Sequence, residues 1–173
     1  MEYVCHYRSP LGDLTLKSDG EALTGLDFSK RKSNDEVIEK AVPVFKEAFR
    51  WLDIYFSGKE PDFLPPLNIK TTSFGREVAE LMLKIPYGQT VTYGELAKMI
   101  AERRGIGKMS AQAVGRAVGN NPIAIIVPCH RVMGKGGGLT GYGGGIGRKI
   151  RLLELEGVDT SEMSLPKHNR FSV

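Results

Sequence analysis

Three prolines stand within the six residues 61–66, and this segment restricts the fold of the chain more than any other feature. Proline has no backbone N–H to donate and its ring clashes inside a helix, so neither a helix nor a central strand is expected to pass through it. We therefore expect two small domains, residues 1–70 and 71–160 of the 173-residue chain, followed by a tail at 161–173.

The N-terminal half has the pattern of short strands followed by a helix. Three extended-type runs, separated by turn-forming serine, glycine and aspartate, lie at 4–7, 14–16 and 23–28. Apolar residues at helical spacing then predict one helix, capped by Asn34 or Asp35 and running to about Phe56.

The C-terminal half has the pattern of helices. Ser73 can cap a helix that ends before the turn signal at Pro86. Thr92 with Glu95 three residues later has the spacing of a capping box, which predicts a helix over 93–101.

A basic turn separates this helix from the next. Ser110 is expected to cap another short helix that runs to about Val118, and residues 103–108 form the turn before it. Two short helices joined by a basic turn are typical of helix-turn-helix geometry, which DNA-binding proteins use.

The chain beyond this pair is first apolar and then rich in glycine. The apolar run 123–127 predicts a strand, because it is too short to favour a helix, and Cys129 would follow it. A final helix over 148–156 would be ended by Gly157. These elements predict an α/β (α+β) protein: a small N-terminal strand-and-helix domain, and a mostly helical C-terminal domain with a helix-turn-helix and a cysteine loop.

Charge is distributed unevenly between the two halves. Residues 1–70 carry a net charge of −2, whereas residues 71–173 carry +6. A basic half favours contact with a polyanion, although an unevenly charged, solvated surface explains the same numbers. No run approaches the about 20 apolar residues of a membrane span, and the N-terminus lacks a secretory pattern. We therefore expect a cytoplasmic protein without membrane contacts.

The two cysteines, Cys5 and Cys129, lie far apart and form no CxxC pair. In the reducing cytosol both are expected to be free thiols. The histidines and cysteines do not have the short recurring spacings of a zinc site, so we expect no metal and no cofactor.

Cys129 is the candidate nucleophile. Burial after an apolar run would raise the pKa of its thiol, and only the thiolate attacks well. His130 and Arg131 are neighbours of the kind that oppose this effect, and a carboxylate that orients the imidazole would complete an activated nucleophile. Spacing alone leaves both Glu154 and Glu156 open as that carboxylate.

The segment Pro128-Cys129-His130-Arg131-Val132, preceded by Ile125-Ile126-Val127, resembles the active-site signature of the O6-alkylguanine-DNA alkyltransferases. The resemblance continues over about 85 residues, from Ser73 to Gly157. The further motifs that carry it are Ile85-Pro86-Tyr87-Gly88, Thr92-Tyr93-Gly94-Glu95-Leu96-Ala97, Ala113-Val114-Gly115, Asn121-Pro122, Gly141-Tyr142 and Leu153-Glu154-Leu155-Glu156-Gly157.

The resemblance implies a DNA repair protein that flips out an O6-alkylguanine and transfers its alkyl group irreversibly to its own cysteine, in one turnover. O4-alkylthymine would be a second candidate substrate. Cys129 would accept the alkyl group, His130 would take the thiol proton through a water molecule, and Glu156 would hold the histidine. Tyr93 would donate a hydrogen bond to the departing guanine.

The resemblance also implies residues that shape the base pocket. Asn121 would tie the recognition helix to the active-site segment. The carbonyl of Val132 and the amide of Gly143 would border the base, and Tyr142 would form part of the pocket wall.

The recognition helix would enter the minor groove of double-stranded DNA, and the protein would act as a monomer without an obligate protein partner. The residues that we expect to contact DNA are Ser110, Gln112, Ala113, Arg116 and Arg131. Gln112 departs from the family pattern, which commonly has an arginine there to fill the gap that the flipped base leaves. Glutamine can fill the gap but lacks the charge, so we expect weaker or more salt-tolerant DNA binding.

Two other functions fit parts of this pattern. A thiol hydrolase would also use Cys129 and a histidine, but it needs an oxyanion hole and a route for turnover. A DNA-binding protein that senses alkyl damage without transfer would use the same helix pair. Relatives of that kind lack the acceptor cysteine, so Cys129 argues against this alternative.

Overall fold

Three antiparallel strands form the sheet of the N-terminal region. The computed structural model describes residues 2–29, 42–138, 142–161 and 163. The strands are adjacent in the order β1-β2-β3 and span Tyr3–Ser9, Gly12–Ser18 and Leu23–Phe28. The three extended runs expected from the sequence lie within these strands, so the strand predictions are confirmed.

Helix α1, Pro43–Phe56, packs against the sheet. The predicted cap at Asn34 or Asp35 lies outside the described residues. A continuous helix from that cap to Phe56 is nevertheless wrong, because Val42 has an extended backbone (φ −82°, ψ 134°). Pro43 explains the observed start: its fixed φ suits the first helical position and disfavours helix in the residue before it.

The C-terminal region is mostly helical, as predicted. Its helices are α2 (Ser73–Leu83), α3 (Tyr93–Arg104), α4 (Ala111–Gly119) and α5 (Ile146–Leu155). Two short parallel strands also pair here, β4 (Val91–Thr92) and β5 (Val132–Met133). Within the described residues, no helix combines the length and the hydropathy that a membrane span needs.

Side-chain caps begin three of these helices. Thr92 and Ser110 each accept a hydrogen bond from the third backbone amide of their helix, at 3.1 and 3.2 Å, so both predicted caps are confirmed. The cap of α2 is Thr72 rather than the predicted Ser73. A threonine hydroxyl accepts this bond as well as a serine hydroxyl, so neighbouring residues of this type leave the start ambiguous by one position.

The apolar run 123–127 is not a strand, and this prediction is wrong. Ile123 forms an isolated bridge with Leu26, and the next three residues lie in turns. Ile125 is fully buried and has a φ of 69°, which is rare for a β-branched residue. Apolar composition predicts burial, but it does not determine the backbone conformation in which a short run is buried.

The chain divides into two compact units by its internal contacts. The first comprises Met1–Lys70 and Pro122–Ile126, and the second comprises Thr71–Asn121 and Val127–Val173. The sequence analysis placed residues 122–126 in the C-terminal domain. Their position in the first unit follows from the backbone bonds between this segment and Leu26 of β3.

Candidate active site

The C-terminal end of α5 fixes the position of Glu156. Gly157 has a φ of 85°, a left-handed conformation that glycine adopts without strain. Its amide donates to the carbonyl of Glu154 and the amide of Val158 donates to that of Leu153, both at 2.9 Å, which are the two bonds of a Schellman motif. The helix therefore stops immediately before Glu156, whose side chain is buried.

The carboxylate of Glu156 joins three groups of the second unit. Its Oε2 lies 2.5 Å from Nε2 of His130, and its Oε1 accepts hydrogen bonds from Nε of Arg131 at 2.7 Å and from the amide of Gly88 at 3.1 Å. His130 and Arg131 are neighbours in one 3-10 turn, so two adjacent side chains reach the same carboxylate. Glu154, the alternative that spacing left open, is exposed.

Burial and charge act in opposite directions on this pair. Burial alone would raise the pKa of Glu156, but the hydrogen bonds and charges of His130 and Arg131 outweigh it and lower that pKa to about 2. Burial is the main influence on His130 and lowers the pKa of its imidazole, although Glu156 opposes this effect. The pKa of His130 thus lies below its ordinary value of 6.5, while the carboxylate of Glu156 is held ionised by its two neighbours, His130 and Arg131.

Cys129 begins the same 3-10 turn, with only 9% of its surface exposed. Burial is the main influence on its thiol and raises the pKa. A hydrogen bond from the side-chain amide of Asn121 and the positive charge of Lys149 act in the opposite direction. Asn121 also donates from Nδ2 to the carbonyl of Val127 at 2.9 Å. Asn121 thus links the end of α4 to the segment that precedes the cysteine.

Lys149 is a site residue that the sequence analysis missed. It is 1% exposed, and its Nζ donates a 2.7 Å hydrogen bond to the carbonyl of Val132. Burial lowers the pKa of its ammonium to about 8, while the charge of Cys129 opposes this shift. The sequence held a signal, because Lys149 shares the buried face of α5 with Ile146 and Leu153. A charged residue on an apolar helix face requires a specific partner.

Tyr142 precedes α5, and its hydroxyl oxygen is buried. Burial, followed by the negative charge of an ionised Cys129, raises the pKa of this phenol well above its ordinary value. The charge of Cys129 thus acts on the phenol of Tyr142. Of the other two residues expected around the base, Val132 turns its carbonyl to Lys149, and Gly143 is exposed in the turn beside Tyr142.

Tyr93 and the first turns of α4 line an open cleft of about 770 Å³. Tyr93 begins α3, and its ring lies 3.8 Å from the position that a Cβ on Gly115 would occupy. The ring of Tyr93 thus lies beside α4 at a distance that would give a Cβ at this position an ordinary van der Waals contact. The other residues that line the cleft include Gly94, Ala111, Gln112, Lys135 and Gly136.

The N-terminal end of α4 presents most of the residues that we expect to contact DNA. Ser110, Gln112 and Arg116 are exposed, and Ala113 is half-buried. These four residues form one continuous region, because they fall within the first two turns of the helix and its cap.

Arg131 is buried, which corrects the expectation that it contacts DNA. It is 8% exposed, and besides its bond to Glu156 it donates from Nη1 to the carbonyl of Ile85 at 2.8 Å. Its guanidinium carbon lies 5.7 Å from the ring centroid of Tyr87. A guanidinium held in this way could reach a phosphate only by leaving a buried carboxylate without its charge partner.

Metal ligation has no candidate among the described residues, since no three histidine, cysteine, aspartate or glutamate residues there are grouped to hold an ion. Cys5 lies in β1, in the first unit, and is partly exposed. The site brings together a thiol, an imidazole held by a carboxylate, two buried cations and a buried phenol hydroxyl.

Comparison with known proteins assigns the chain to a family. Residues 73–158 match the model for the DNA binding domain of 6-O-methylguanine DNA methyltransferase, and residues 3–69 match the model for the ribonuclease-like domain of the same protein. A methylated-DNA–protein-cysteine methyltransferase of Mycobacterium bovis is 45% identical over 156 residues, which cover 87% of this chain and 92% of that protein. The corresponding protein of Methanosarcina acetivorans is 43% identical over 158 residues, covering 90% and 98%.

Solved structures agree with these sequence matches. The crystal structure of Mycobacterium tuberculosis OGT in complex with DNA superposes with a TM-score of 0.76 at 44% identity, over 89% of this chain and 92% of that one. A crystal structure of the M. tuberculosis O6-methylguanine methyltransferase gives a TM-score of 0.70 at 40% identity, over 97% of each chain. Both halves of the chain are thus matched, and the chain belongs to the 6-O-methylguanine DNA methyltransferase family.

Proposed function

We propose that this protein repairs DNA by transferring the alkyl group of an O6-alkylguanine to Sγ of its own Cys129, once and irreversibly. The observation that carries the proposal is the 2.5 Å contact between Nε2 of His130 and Oε2 of Glu156, in a site where the thiol directly precedes that histidine. The contact supplies an oriented base to a cysteine that burial would otherwise keep protonated.

The first step ionises the thiol. Ionised Glu156 can only accept a hydrogen bond, so the neutral imidazole of His130 donates from Nε2 and carries its lone pair on Nδ1. Nδ1 takes the proton of Cys129 through a water molecule. The imidazolium that results is stabilised by Glu156, and the thiolate by the nearby ammonium of Lys149.

The second step breaks the bond between the alkyl carbon and O6. The thiolate of Cys129 donates an electron pair to the alkyl carbon, and the pair of the broken C–O bond passes to guanine. The hydroxyl of Tyr93 donates a hydrogen bond to compensate the charge that develops on the departing base. The products are a thioether and a guanine anion; the anion takes up one proton at N1 from water, and the imidazolium of His130 returns one proton to water, so that an unmodified guanine and a neutral imidazole remain. A thioether offers no hydrolysable acyl group, so the protein acts once.

A base must leave the duplex to reach a buried thiol. We assign Tyr142, the carbonyl of Val132 and the amide of Gly143 to the pocket that receives it, because the charge of Cys129 acts on Tyr142 and the carbonyl of Val132 accepts a hydrogen bond from Lys149. Asn121 holds the acceptor segment against the end of the recognition helix. O4-alkylthymine is a second substrate candidate, since it also carries an alkyl group on an exocyclic oxygen.

The recognition helix α4 is proposed to enter the minor groove of double-stranded DNA, with Ser110, Gln112, Ala113 and Arg116 at the contact. Gln112, which lies in the first turn of α4 and is exposed, would fill the gap left by the flipped base. The protein would work as a monomer in the cytoplasm without an obligate partner. The net charge of +6 on residues 71–173 supports contact with a polyanion.

Stoichiometry tests the proposal. A duplex oligonucleotide with one O6-methylguanine is titrated with protein, and the residual lesion is measured by digestion and chromatography. One lesion should disappear for each wild-type molecule, and none should disappear with Cys129→Ser. Cys5→Ser, which removes the other thiol, should repair like the wild type. Several lesions repaired per molecule would favour a hydrolase, and tight binding without lesion loss would favour a damage sensor.

A further inference from the structure

Arg131 is fixed from three sides in the interior of the second unit. Its Nε donates to Oε1 of Glu156 at 2.7 Å, its Nη1 donates to the carbonyl of Ile85 at 2.8 Å, and the ring of Tyr87 lies beside its guanidinium. None of these contacts involves the thiol or the cleft beside α4. The proposed transfer assigns no step to Arg131. Only 8% of its surface is exposed, and an arginine is rarely buried to this extent unless its charge is paired.

We infer that Arg131 is a positioning residue that fixes the proton of His130 on Nε2 by holding Glu156 in its ionised form. The inference rests on the proposed transfer to Cys129, which needs an unprotonated Nδ1. It assigns to Arg131 a function in the reaction that is exerted entirely through Glu156 and His130.

The state of Glu156 decides which nitrogen of the imidazole is the base. An ionised carboxylate accepts from Nε2–H and leaves the lone pair on Nδ1. A protonated carboxyl would instead donate its O–H to Nε2, and the neutral imidazole would then carry its proton on Nδ1. In that tautomer His130 cannot accept the thiol proton. A histidine held in the wrong tautomer has lost its function as a base.

Burial favours the protonated carboxyl, and a neutral imidazole offers no charge to oppose it. Among the described residues, the charged and titratable groups around the pair include Arg131 from the same turn, Lys149 from α5, the thiol of Cys129 and, beside Arg131, the phenol of Tyr87. Of the two cations, Arg131 donates a hydrogen bond to Glu156, whereas Lys149 donates one to the carbonyl of Val132. The second donor to Oε1, the amide of Gly88, carries no charge. Arg131 is thus the cation in position to keep the carboxylate ionised.

The test compares Arg131→Met and Arg131→Lys with the wild type and with Arg104→Met. Arg104 forms an ion pair with Glu77 at the surface of the same unit, so its variant loses an arginine–glutamate pair of the same chemistry outside the site. Two quantities are measured. Ring-nitrogen NMR shifts of His130 report its tautomer, and single-turnover methyl transfer from an O6-methylguanine duplex is followed from pH 6 to pH 9 under conditions that saturate DNA binding.

The wild type and Arg104→Met should show Nε2–H with an unprotonated Nδ1. Arg131→Met should show a substantial Nδ1–H population and transfer about a hundredfold more slowly at neutral pH, the loss expected when a general base is removed. Its rate should recover as pH rises, because alkali ionises the carboxyl again. Arg131→Lys, which retains the charge, should restore the Nε2–H tautomer and most of the rate.

Three results would overturn the inference. The first is an Nδ1–H tautomer in the wild type. This measurement needs no variant, so it can refute the inference even if Arg131→Met does not fold. The second is an unchanged tautomer in Arg131→Met, and the third is a loss of rate that is equal at every pH, as expected of a purely structural defect. These results differ from a failure of the proposed function. In that case the wild type would transfer no methyl group, although the tautomer of its His130 could still be measured.

Discussion

The ammonium of Lys149 donates a 2.7 Å hydrogen bond to the carbonyl of Val132 while its charge acts on the thiol of Cys129. A buried lysine is costly, and here burial lowers its pKa to about 8. Near pH 7 it therefore still carries most of its charge. A cation beside the acceptor stabilises the thiolate, which is the form that attacks.

Lys149→Met is predicted to raise the pKa of Cys129 and to slow its reaction with iodoacetamide. Methionine fills a similar volume without charge, so the packing of α5 should be largely retained. A rise of about one pKa unit would lower the reactive fraction about tenfold at pH 7. The rate of thiol alkylation is measured against pH, with Lys84→Met as a control because Lys84 is exposed at the end of α2. An unchanged pH midpoint in Lys149→Met would rule out this electrostatic role.

Acid should unfold the protein in part through Glu156. Its pKa is lowered from 4.5 to about 2, so the unfolded state binds more protons between these values and stability is lost as pH falls through this window. The ionised carboxylate thus contributes roughly 3 kcal/mol at neutral pH. Urea unfolding from pH 7 to pH 2 should show a flatter pH dependence for Glu156→Gln. Exposed Glu154→Gln should follow the wild type, and equal curves for all three proteins would refute the assignment.

Gly157→Ala is predicted to destabilise the end of α5 by about 1 kcal/mol. An added Cβ would meet nothing within 4 Å, so the expected loss arises from the φ of 85° rather than from a clash. Gly107→Ala is the matched control, since its Cβ would also enter open space and its backbone is outside the left-handed region. Thermal unfolding compares the two variants, and equal melting temperatures would contradict the account of the helix end.

Gln112→Arg is predicted to strengthen DNA binding and to increase its salt dependence. One added phosphate contact should make the slope of log Kd against log salt steeper by about 1, because another counterion is released. Fluorescence anisotropy with an undamaged duplex, measured at several salt concentrations, gives this slope. A parallel titration for wild type and Gln112→Arg would show that residue 112 does not lie near the backbone of DNA.

Local rules predicted much of the fold. The caps at Thr92 and Ser110 depend on a hydroxyl and the next three residues, so they are readable from sequence. The helix over Pro43–Phe56 shows the limit of periodicity, because apolar spacing extended the predicted helix through a proline that begins it. The turns at 124–126 depend on backbone bonds with β3 from the other end of the chain, which no local pattern contains.

The candidate site was predictable only in part. The cysteine and histidine are adjacent in sequence. Spacing could not choose between Glu154 and Glu156, because the choice depends on which residue the end of α5 turns inward, and the family resemblance was needed to select Glu156. Arg131 was expected to contact DNA, whereas the structure shows it in the interior, where a buried carboxylate holds it. The sequence analysis missed Lys149, because its role depends on its position on the buried apolar face of α5.

Intact-protein mass spectrometry tests the central claim most directly. The protein is mixed with an excess of duplex that carries one O6-methylguanine, and the modified residue is located by peptide mapping. The account predicts a single gain of about 14 Da, one methyl group in covalent linkage, on Cys129 and none in Cys129→Ala. An unchanged mass despite tight binding to the lesion, or a gain that persists in Cys129→Ala, would contradict it.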